Sequence, residues 1–379
     1  MEILVFLLVF LIQLSSGKIL SYLIFALLSL MILIKYGKIK YKTIFFFILF
    51  LLLILNLIEP MLIFNSLVRY ELIWISLGIF GIFLSTHENM SNTRVYRILK
   101  SIFYSGLSGA SFIFILSSLN IFIPSLNHEH YAGIRWVGGF DGPNEFSAFY
   151  VLILSIGLGL YISKHINVSM MIYSIIIIVP SVYFSYSRGS LFMFFTLIIV
   201  FIIVHIKNTK HRVLITSIYT GVLAFLFVLV KKNNLIENFM NVRSRASSRT
   251  PLLEASISMF LDKPIFGNGL GAFSLLSIVS NDSPHNDYLY ILTAGGIIGL
   301  TILLCFYLYP FFISLFYRNY ASIFFFITFY FSGFFFNNIV RGRISFLFWL
   351  IFGIMAALTL RRREHNGYSK TNIGKRDRE

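Results

Sequence analysis

A histidine and several arginines stand in the polar segments between long apolar runs, and their side chains suit chemistry on phosphate-linked substrates. His285 lies in the stretch SPHNDYLY, and Arg188 lies in the stretch SRGS. Arginine binds phosphate oxygens through paired N–H donors and stays charged throughout the physiological pH range. A histidine is partly neutral at neutral pH and can accept the proton of a hydroxyl group. These residues predict a site that holds a pyrophosphate anion and activates a hydroxyl.

Further polar residues on the same predicted face complete the set of candidates. No acidic residue stands between Glu237 and Glu254 to neutralise the arginines of that segment. The candidate catalytic residue is His285, and the candidate substrate-binding residues are Arg135, Arg188, Arg243, Arg245, Arg249, Asn144 and Asn286. A simpler interpretation stays open, in which the arginines extend to lipid headgroups or pair with carboxylates and the histidine is an interfacial anchor.

The composition is that of an integral membrane protein. Hydrophobic residues make up 58% of the chain, charged residues make up 12%, and the mean hydropathy is +0.83. Apolar runs of about 14–22 residues can cross a hydrocarbon core of about 30 Å only as helices. The sequence therefore predicts an all-α polytopic protein with about twelve transmembrane helices. The predicted spans are 3–16, 19–34, 43–58, 71–86, 101–120, 146–163, 169–187, 189–206, 213–230, 288–309, 320–337 and 344–360.

Basic residues set the predicted orientation of the spans. Four basic segments fall on one side of the membrane, which the positive-inside rule assigns to the cytoplasm. These segments are 35–42, 87–100, 207–212 and the tail 361–379. Residues 1–360 are then one transmembrane domain with both termini cytoplasmic. The external loops 121–145 and 231–287, the second lying between the ninth and tenth spans, form the predicted active face. The net charge of +16 is interpreted as attraction to anionic lipid and not as a nucleic-acid surface.

Local signals predict how the external segments join the helices. Asn144 is placed to cap the sixth span, and Asn286 or Asp287 is placed to cap the tenth. In TPLLEASISMFLDKP, Thr250 is a predicted N-cap of a short amphipathic helix on the outer surface, with Pro251 as its first residue. No strand precedes the following FGNGLGAF, so it is not interpreted as a nucleotide site. Its glycines are expected to let the backbone bend or approach a ligand closely.

Four motifs between residues 135 and 300 carry a family resemblance. In order they are RWVGGFDGPNEF, SRGS, SSRTPLLEASISMFLDKPIFGNGLGAF and PHNDYLYILTAGGIIGL. Together they resemble the O-antigen ligase and O-antigen polymerase superfamily of bacterial envelope proteins. The last two motifs are the most specific, because each stands at the expected place beside the tenth span. The resemblance covers residues 130–300 by motif and the remaining spans by topology.

The resemblance implies a glycosyltransferase architecture of the GT-C type, with a large external loop between late helices. It implies transfer of a glycan from undecaprenyl pyrophosphate to a sugar hydroxyl, with inversion and without metal or other cofactor, on the outer face of the bacterial cytoplasmic membrane. His285 matches the family's loop histidine, Arg188 and Arg249 match its arginines, and Arg135 is a weaker match. Many relatives have a glutamate where this chain has Ala294, so an acid role at that position is absent here.

The motifs leave the acceptor open. A polymerase joins lipid-linked repeat units to one another, whereas a ligase passes the finished glycan to lipid A core or to protein. The chain is rich in Ile, Phe, Lys and Asn, which indicates an AT-rich genome and leaves a Gram-positive host open. Such a host has no lipid A, so a capsule or exopolysaccharide polymerase is slightly favoured. The expected partners are the lipid-linked oligosaccharide, the acceptor glycan and membrane lipid, with a chain-length regulator as a further candidate.

A flippase of lipid-linked sugars is an alternative from another class, although transporters place polar groups near the bilayer midplane. A scaffold without a site leaves the external arginines unexplained.

Overall fold

The computed structural model describes a helical membrane protein. The described residues are 92–119, 127–130, 133–136, 140, 142–205, 249–269, 272–273, 284–335, 351–356 and 358–359, with Phe6, Leu7, Phe10 and Phe348. Within them the helices are α1 (Asn92–Ser118), α2 (Pro143–Ile162), α3 (Val168–Phe184), α4 (Arg188–His205), α5 (Arg249–Asp262), α6 (Asp287–Phe316) and α7 (Tyr320–Phe335). The residues 351–356 are also helical.

Six predicted spans coincide with α1, α2, α3, α4, α6 and α7. Among the described residues, α1 from Thr93, α2, α4 and α6 are long and apolar enough to cross a membrane, and α3 and α7 are shorter apolar helices. Two boundaries were wrong: α1 begins at Asn92, inside the predicted basic loop, and α6 continues to Phe316. The predicted spans 19–34, 43–58, 71–86 and 213–230 lie outside the described residues, so the total of twelve remains a prediction.

The external loop predicted at 121–145 contains a short antiparallel hairpin, which the all-α prediction did not include. Its strands are β1 (Asn127–His130) and β2 (Gly133–Trp136), with Asn127 opposite Trp136 and His128 opposite Arg135. Trp136 is buried, and its ring lies 4.9 Å from that of Phe184 at the end of α3. The indole therefore fixes the hairpin against the helices.

Helix α2 is the centre of the described bundle. Every residue from Phe146 to Leu160 is buried, and α1, α3, α4 and α7 all pack around it. A helix that is apolar on all sides is stable only when other helices or lipid cover each side. The burial of α2 on every side thus reflects its contacts with four neighbouring helices.

Small residues allow α2 and α7 to approach closely. A Cβ atom added at Gly159 would lie 2.4 Å from the Cα atom of Ala321. Such small-residue contacts let helix backbones gain van der Waals contact where lipid offers no hydrophobic driving force. Gly159 is therefore required by packing against α7.

Replacement of Gly159 by alanine is expected to destabilise the protein, because the added methyl group meets backbone and not a movable side chain. Overpacking of this kind costs roughly 1–3 kcal/mol, so the thermal midpoint of the detergent-solubilised protein should fall by several degrees. Gly142→Ala is the matched control, since a Cβ there meets nothing within 4 Å. Equal midpoints for the two variants would contradict the assigned contact.

Candidate active site

Helix α6 is broken at Gly296, and a loop fills the break. Gly296 has φ 61° and ψ −161°, which interrupts the helix between residues 287–295 and 297–316. The backbone N–H groups of Asn268 and Gly269 donate to the carbonyls of Thr293 and Ala294, over 2.9 and 2.8 Å. On the other side of the break, the N–H groups of Ile297 and Ile298 donate to the carbonyls of Pro264 and Ile265. The loop 264–269 thus pairs the backbone groups that the break releases on both sides.

Two glycines permit this close approach. Gly267 has φ 75°, and a Cβ atom there would lie 2.4 Å from the carbonyl oxygen of Ala294. A Cβ atom on Gly296 would lie 2.3 Å from the carbonyl oxygen of Ile265. The expected close approach of the glycine segment is therefore observed, and it is made to the backbone of α6.

The side chain of Asn268 ties α5 to the break. It is buried, and its Nδ2 donates to the carbonyl of Met259 over 2.7 Å and to that of Thr293 over 3.4 Å. Helix α5 starts at Arg249, so Thr250 lies in its first turn and is not the N-cap that was predicted. The Asn268 contacts hold the end of α5 against the first part of α6. They thereby set the position of the whole helix, which begins at Arg249.

The exposed face of α5 contains an apolar stripe. Leu252, Ser256 and Met259 are buried, whereas Leu253, Ile257 and Leu261 are exposed. Exposed apolar side chains along one helix are what a helix lying on a membrane surface requires. Glu254 and Asp262 are exposed beside this apolar stripe, so the solvent-facing side of α5 carries both apolar and charged residues.

His285 lies just outside the start of α6. It is exposed and has φ 51°, a left-handed conformation that is uncommon for residues other than glycine. The next residue, Asn286, is the N-cap: its Oδ1 accepts from the N–H of Leu289 over 3.0 Å. The predicted cap is confirmed at Asn286, and Asp287 is buried in the first turn. The strained backbone of His285 is therefore held by the cap that follows it.

The cap also anchors the start of α6 to the end of α7. The Nδ2 of Asn286 donates to the carbonyl of Phe334 over 3.1 Å, and the hydroxyl of Tyr288 donates to the carbonyl of Tyr330 over 3.0 Å. Tyr307 also contacts Tyr330, although a straight helix would separate Tyr288 from Tyr307 by about 28 Å. The break at Gly296 thus lets both parts of α6 reach one residue of α7.

A buried serine cluster joins the starts of α2 and α4. The hydroxyls of Ser147 and Ser190 lie 2.7 Å apart, and the Ser190 hydroxyl donates to that of Ser187 over 3.1 Å. Arg188 was predicted in a turn at 187–189, but the turn lies at 185–186 and Arg188 is the first residue of α4. Its side chain is exposed at this junction.

Asn144 does not cap α2. The helix begins at Pro143, with Gly142 as N-cap and no side-chain cap hydrogen bond, so Asn144 lies in the first turn. The carbonyl of Asn144 accepts from the Ser147 hydroxyl over 3.0 Å. The segment GPNEF is therefore connected, through Ser147 and Ser190, to the segment SRGS.

Aromatic contacts bring the start of α4 close to the start of α6. The ring of Phe192, one turn after Arg188, lies 5.6 Å from that of Phe335, next to the Phe334 carbonyl that Asn286 binds. The starts of α2, α4 and α6 thus share one face with the ends of α3 and α7. Arg188, Asn144, Asn286 and His285 lie on this face.

The remaining candidates are located less fully. Arg135 stands on β2, which packs through Trp136 against the end of α3, and Arg249 begins α5. Arg243 and Arg245 lie outside the described residues. Within the described ranges, no three histidine, cysteine or acidic side chains form a group that could hold a metal ion.

Comparison with known families adds to this geometry. The sequence model of the O-antigen ligase family matches residues 172–304. The match supports the O-antigen ligase and polymerase superfamily. It begins within α3, ends within the second part of α6, and includes Arg188, α5, the loop 264–269 and His285. Arg135 and Asn144 precede it. A comparison with curated proteins found no match.

The O-antigen ligase match thus confirms the resemblance seen in the motifs, and the structure adds residues that the motifs did not single out. Asn268, Gly296 and the pair Ser147 and Ser190 position the site without being candidates for chemistry. A signal for the break was present in the sequence, where two glycines interrupt the apolar run at 295–296. The serine contacts had no such signal, because serine is common in membrane helices.

Replacement of Gly296 by alanine is expected to displace the loop 264–269 and to abolish transfer in the native host. The left-handed φ and the contact with the Ile265 carbonyl both disfavour a Cβ atom. The measurement is surface glycan production together with limited proteolysis of the connection between α5 and α6, which should become faster. Gly159→Ala, whose Cβ atom also meets backbone but at the opposite end of α2, is the control for a general packing defect and should leave the proteolysis of this connection unchanged. Normal glycan with unchanged proteolysis in Gly296→Ala would exclude a role for the break.

Proposed function

We propose that this chain transfers a glycan from undecaprenyl pyrophosphate to the hydroxyl of an acceptor sugar, on the external face of the cytoplasmic membrane. Its most favoured role is polymerisation of lipid-linked repeat units. The observation that carries the proposal is the placement of His285, exposed and strained at the start of α6, inside the O-antigen ligase match. Backbone strain that the surrounding structure holds in place is a common feature of functional sites.

In the proposed step, a ring nitrogen of His285 accepts the proton of the acceptor hydroxyl as its oxygen bonds to the anomeric carbon of the donor. The bond from that carbon to the pyrophosphate oxygen breaks, and polyprenyl pyrophosphate leaves with the electron pair. Attack on the face opposite the leaving group inverts the anomeric centre. General base assistance of this kind accelerates a reaction by roughly 10²–10⁴-fold.

Positive charge on the shared face supports stabilisation of the leaving group. Arg188 is exposed at the first position of α4, and the starts of α2 and α6 lie on the same face. Helix N-termini carry partial positive charge, which favours bound phosphate. The first turn of α4 has no acidic residue, whereas those of α2 and α6 contain Glu145 and Asp287, so the start of α4 is the favoured anion site. We assign the binding of pyrophosphate to Arg188, with Arg249, Arg135, Arg243 and Arg245 as further candidates. Asn144 and Asn286 are candidates to contact the sugar.

A ligase is the second candidate, because the matched family is described as O-antigen ligase. Polymerase and ligase share the donor and the proposed step, and they differ in the acceptor. The lipid-linked pool that accumulates when the enzyme is inactive distinguishes them. Single lipid-linked repeats indicate a polymerase, whereas full-length lipid-linked polymer indicates a ligase.

His285→Asn is expected to reduce transfer by about 10²–10⁴-fold, the contribution of a general base. Asparagine adopts the left-handed conformation more readily than most residues, so the backbone at the start of α6 should be retained. The variant is expressed in a host deleted for the gene, and its surface glycan is compared with the lipid-linked pool on gels.

The membrane level and thermal midpoint of His285→Asn are measured beside the wild type, so that loss of activity is separated from loss of protein. Normal polymer in cells carrying the variant would remove His285 from the site. A pool that contains neither repeats nor polymer linked to lipid would contradict the proposed donor.

Arg188→Lys is expected to lower kcat/KM for a synthetic polyprenyl-pyrophosphate oligosaccharide by roughly tenfold or more. Lysine keeps the charge but cannot form the paired hydrogen bonds of a guanidinium group, and a hydrogen bond to a charged group contributes about 1.5–3 kcal/mol. Arg97→Lys is the matched control, because Arg97 is exposed in the first part of α1. Equal losses in both variants would show a general effect of arginine replacement.

A further inference from the structure

A cavity lies at the other end of the bundle from the candidate active site. Its volume is about 820 Å³, and it is lined where α2 and α4 end and where α3 and α7 begin. Helix α2 starts at the active face and has 20 residues, so its two ends are separated by about 30 Å. The cavity therefore has no part in the proposed transfer step.

Lys164, which lines this cavity, occupies a position that usually belongs to glycine. The N–H of His165 donates to the carbonyl of Leu160 over 2.8 Å, and the N–H of Lys164 donates to that of Tyr161 over 2.9 Å. These bonds form a Schellman motif, whose left-handed residue is most often glycine. Lys164 has φ 60°. The helix end thus tolerates backbone strain at a lysine that faces the cavity.

The end of α6 repeats this arrangement with an arginine. The N–H of Asn319 donates to the carbonyl of Ser314 over 2.8 Å, and the N–H of Arg318 donates to that of Leu315 over 3.2 Å. Arg318 has φ 51°, and Tyr320, two residues later, lines the cavity. Two helix ends on this face therefore place a basic residue where glycine would be unstrained.

The lining combines basic and aromatic groups. Lys164, His165 and His205 contribute to it, and none of the described residues that line the cavity is acidic. The ring of His165 lies 3.8 Å from that of Tyr96, and the ring of His205 stacks on Phe201 at 5.2 Å. Burial lowers the pKa of His165, and the nearby charge of Lys100 lowers it further. The cavity thus holds the positive charge of Lys164 between aromatic walls, and the lowered pKa of His165 favours its neutral form.

The location indicates which anion this space would receive. Helices α2 and α4 are long and apolar enough to cross a membrane, and the cavity lies at their ends, where the phosphate groups of a bilayer are found. The N-terminus of α3 also faces it through Asn167, whose side chain accepts from the N–H of Met170. Basic pockets between transmembrane helices commonly hold anionic lipid headgroups.

We propose that this cavity binds the phosphate group of an anionic membrane lipid, with Lys164 and His205 as its main contacts. Lys164 supplies a fixed charge, and His205 supplies a ring N–H. Tyr161 and Tyr320 cover the glycerol part of the headgroup. The proposal concerns the face away from the active site and does not depend on the proposed function.

The test is native mass spectrometry of the full chain in neutral detergent, titrated with phosphatidylglycerol or with phosphatidylcholine. The wild type should bind phosphatidylglycerol with a Kd at least tenfold lower than that for phosphatidylcholine. The double variant Lys164→Asn and His205→Gln should lose this preference. Lys263→Asn is the matched control, because Lys263 is exposed beyond the end of α5 and its replacement should leave the preference intact.

Lys164→Gly separates binding from folding. Glycine relieves the left-handed strain, so this variant should unfold at a higher temperature than the wild type and yet bind phosphatidylglycerol more weakly. Unchanged lipid preference in Lys164→Gly or in the double variant would overturn the proposal. Glycerol phosphate is titrated as a third ligand. If it binds the wild type as tightly as phosphatidylglycerol does, the assignment of the cavity to a lipid is overturned.

Discussion

The backbone pairing between the loop 264–269 and the two sides of the break in α6 is the interaction on which the candidate site depends. An apolar helix cannot leave carbonyl and N–H groups unpaired in a poorly solvated environment, because each such group costs about 1–3 kcal/mol. Here the carbonyls of Thr293 and Ala294 and the N–H groups of Ile297 and Ile298 all find partners in one short loop. The loop is therefore an integral part of the helix it interrupts, and α5 and the start of α6 are positioned through it. Transporters also use broken helices to bind substrate, but these released groups are occupied by the protein itself.

Away from this break, the described bundle is held by neutral polar contacts within apolar packing. Many buried hydroxyls bond to the carbonyl three or four residues earlier in their own helix, as Ser155, Ser181 and Thr328 do. The hydrogen bond between Ser147 and Ser190 is different, because it joins two helices. Neutral contacts of this kind avoid the desolvation of buried charge. Arg188 and His285, two of the residues assigned to chemistry, are exposed at the starts of α4 and α6, where their solvation is retained.

Much of the bundle could be predicted from hydropathy alone, since long apolar runs admit few structures other than helices in a membrane. The cap of α6 was predictable to within two residues, Asn286 or Asp287, since either side chain can accept from the turn that follows, and the structure selects Asn286. The break at Gly296 was not predicted, because Gly295 and Gly296 alone do not show whether a helix continues, and the loop that pairs with the break is distant in sequence. Asn144 failed as a cap because Pro143 takes the first helical position, which makes Gly142 the N-cap. Thr250 failed because α5 already begins at Arg249.

The site residues were predictable by type and not by arrangement. The segments SRGS and PHNDYLY could each be recognised, but their approach depends on Phe192, Phe335 and the carbonyl of Phe334, none of which carries a functional signal. Apolar residues that determine geometry are difficult to distinguish from those that fill space.

The contact between Gly267 and Gly296 has an evolutionary consequence. A Cβ atom on either glycine would collide with the backbone of the segment that contains the other glycine. The two positions are therefore under a single constraint, although they are distant in sequence. A substitution at one cannot be compensated by a smaller residue at the other, since no smaller residue exists. Lineages that retain the interrupted helix are therefore expected to retain both glycines, even where the surrounding apolar residues drift freely. The pair offers a way to recognise this architecture in chains too divergent for overall similarity to detect.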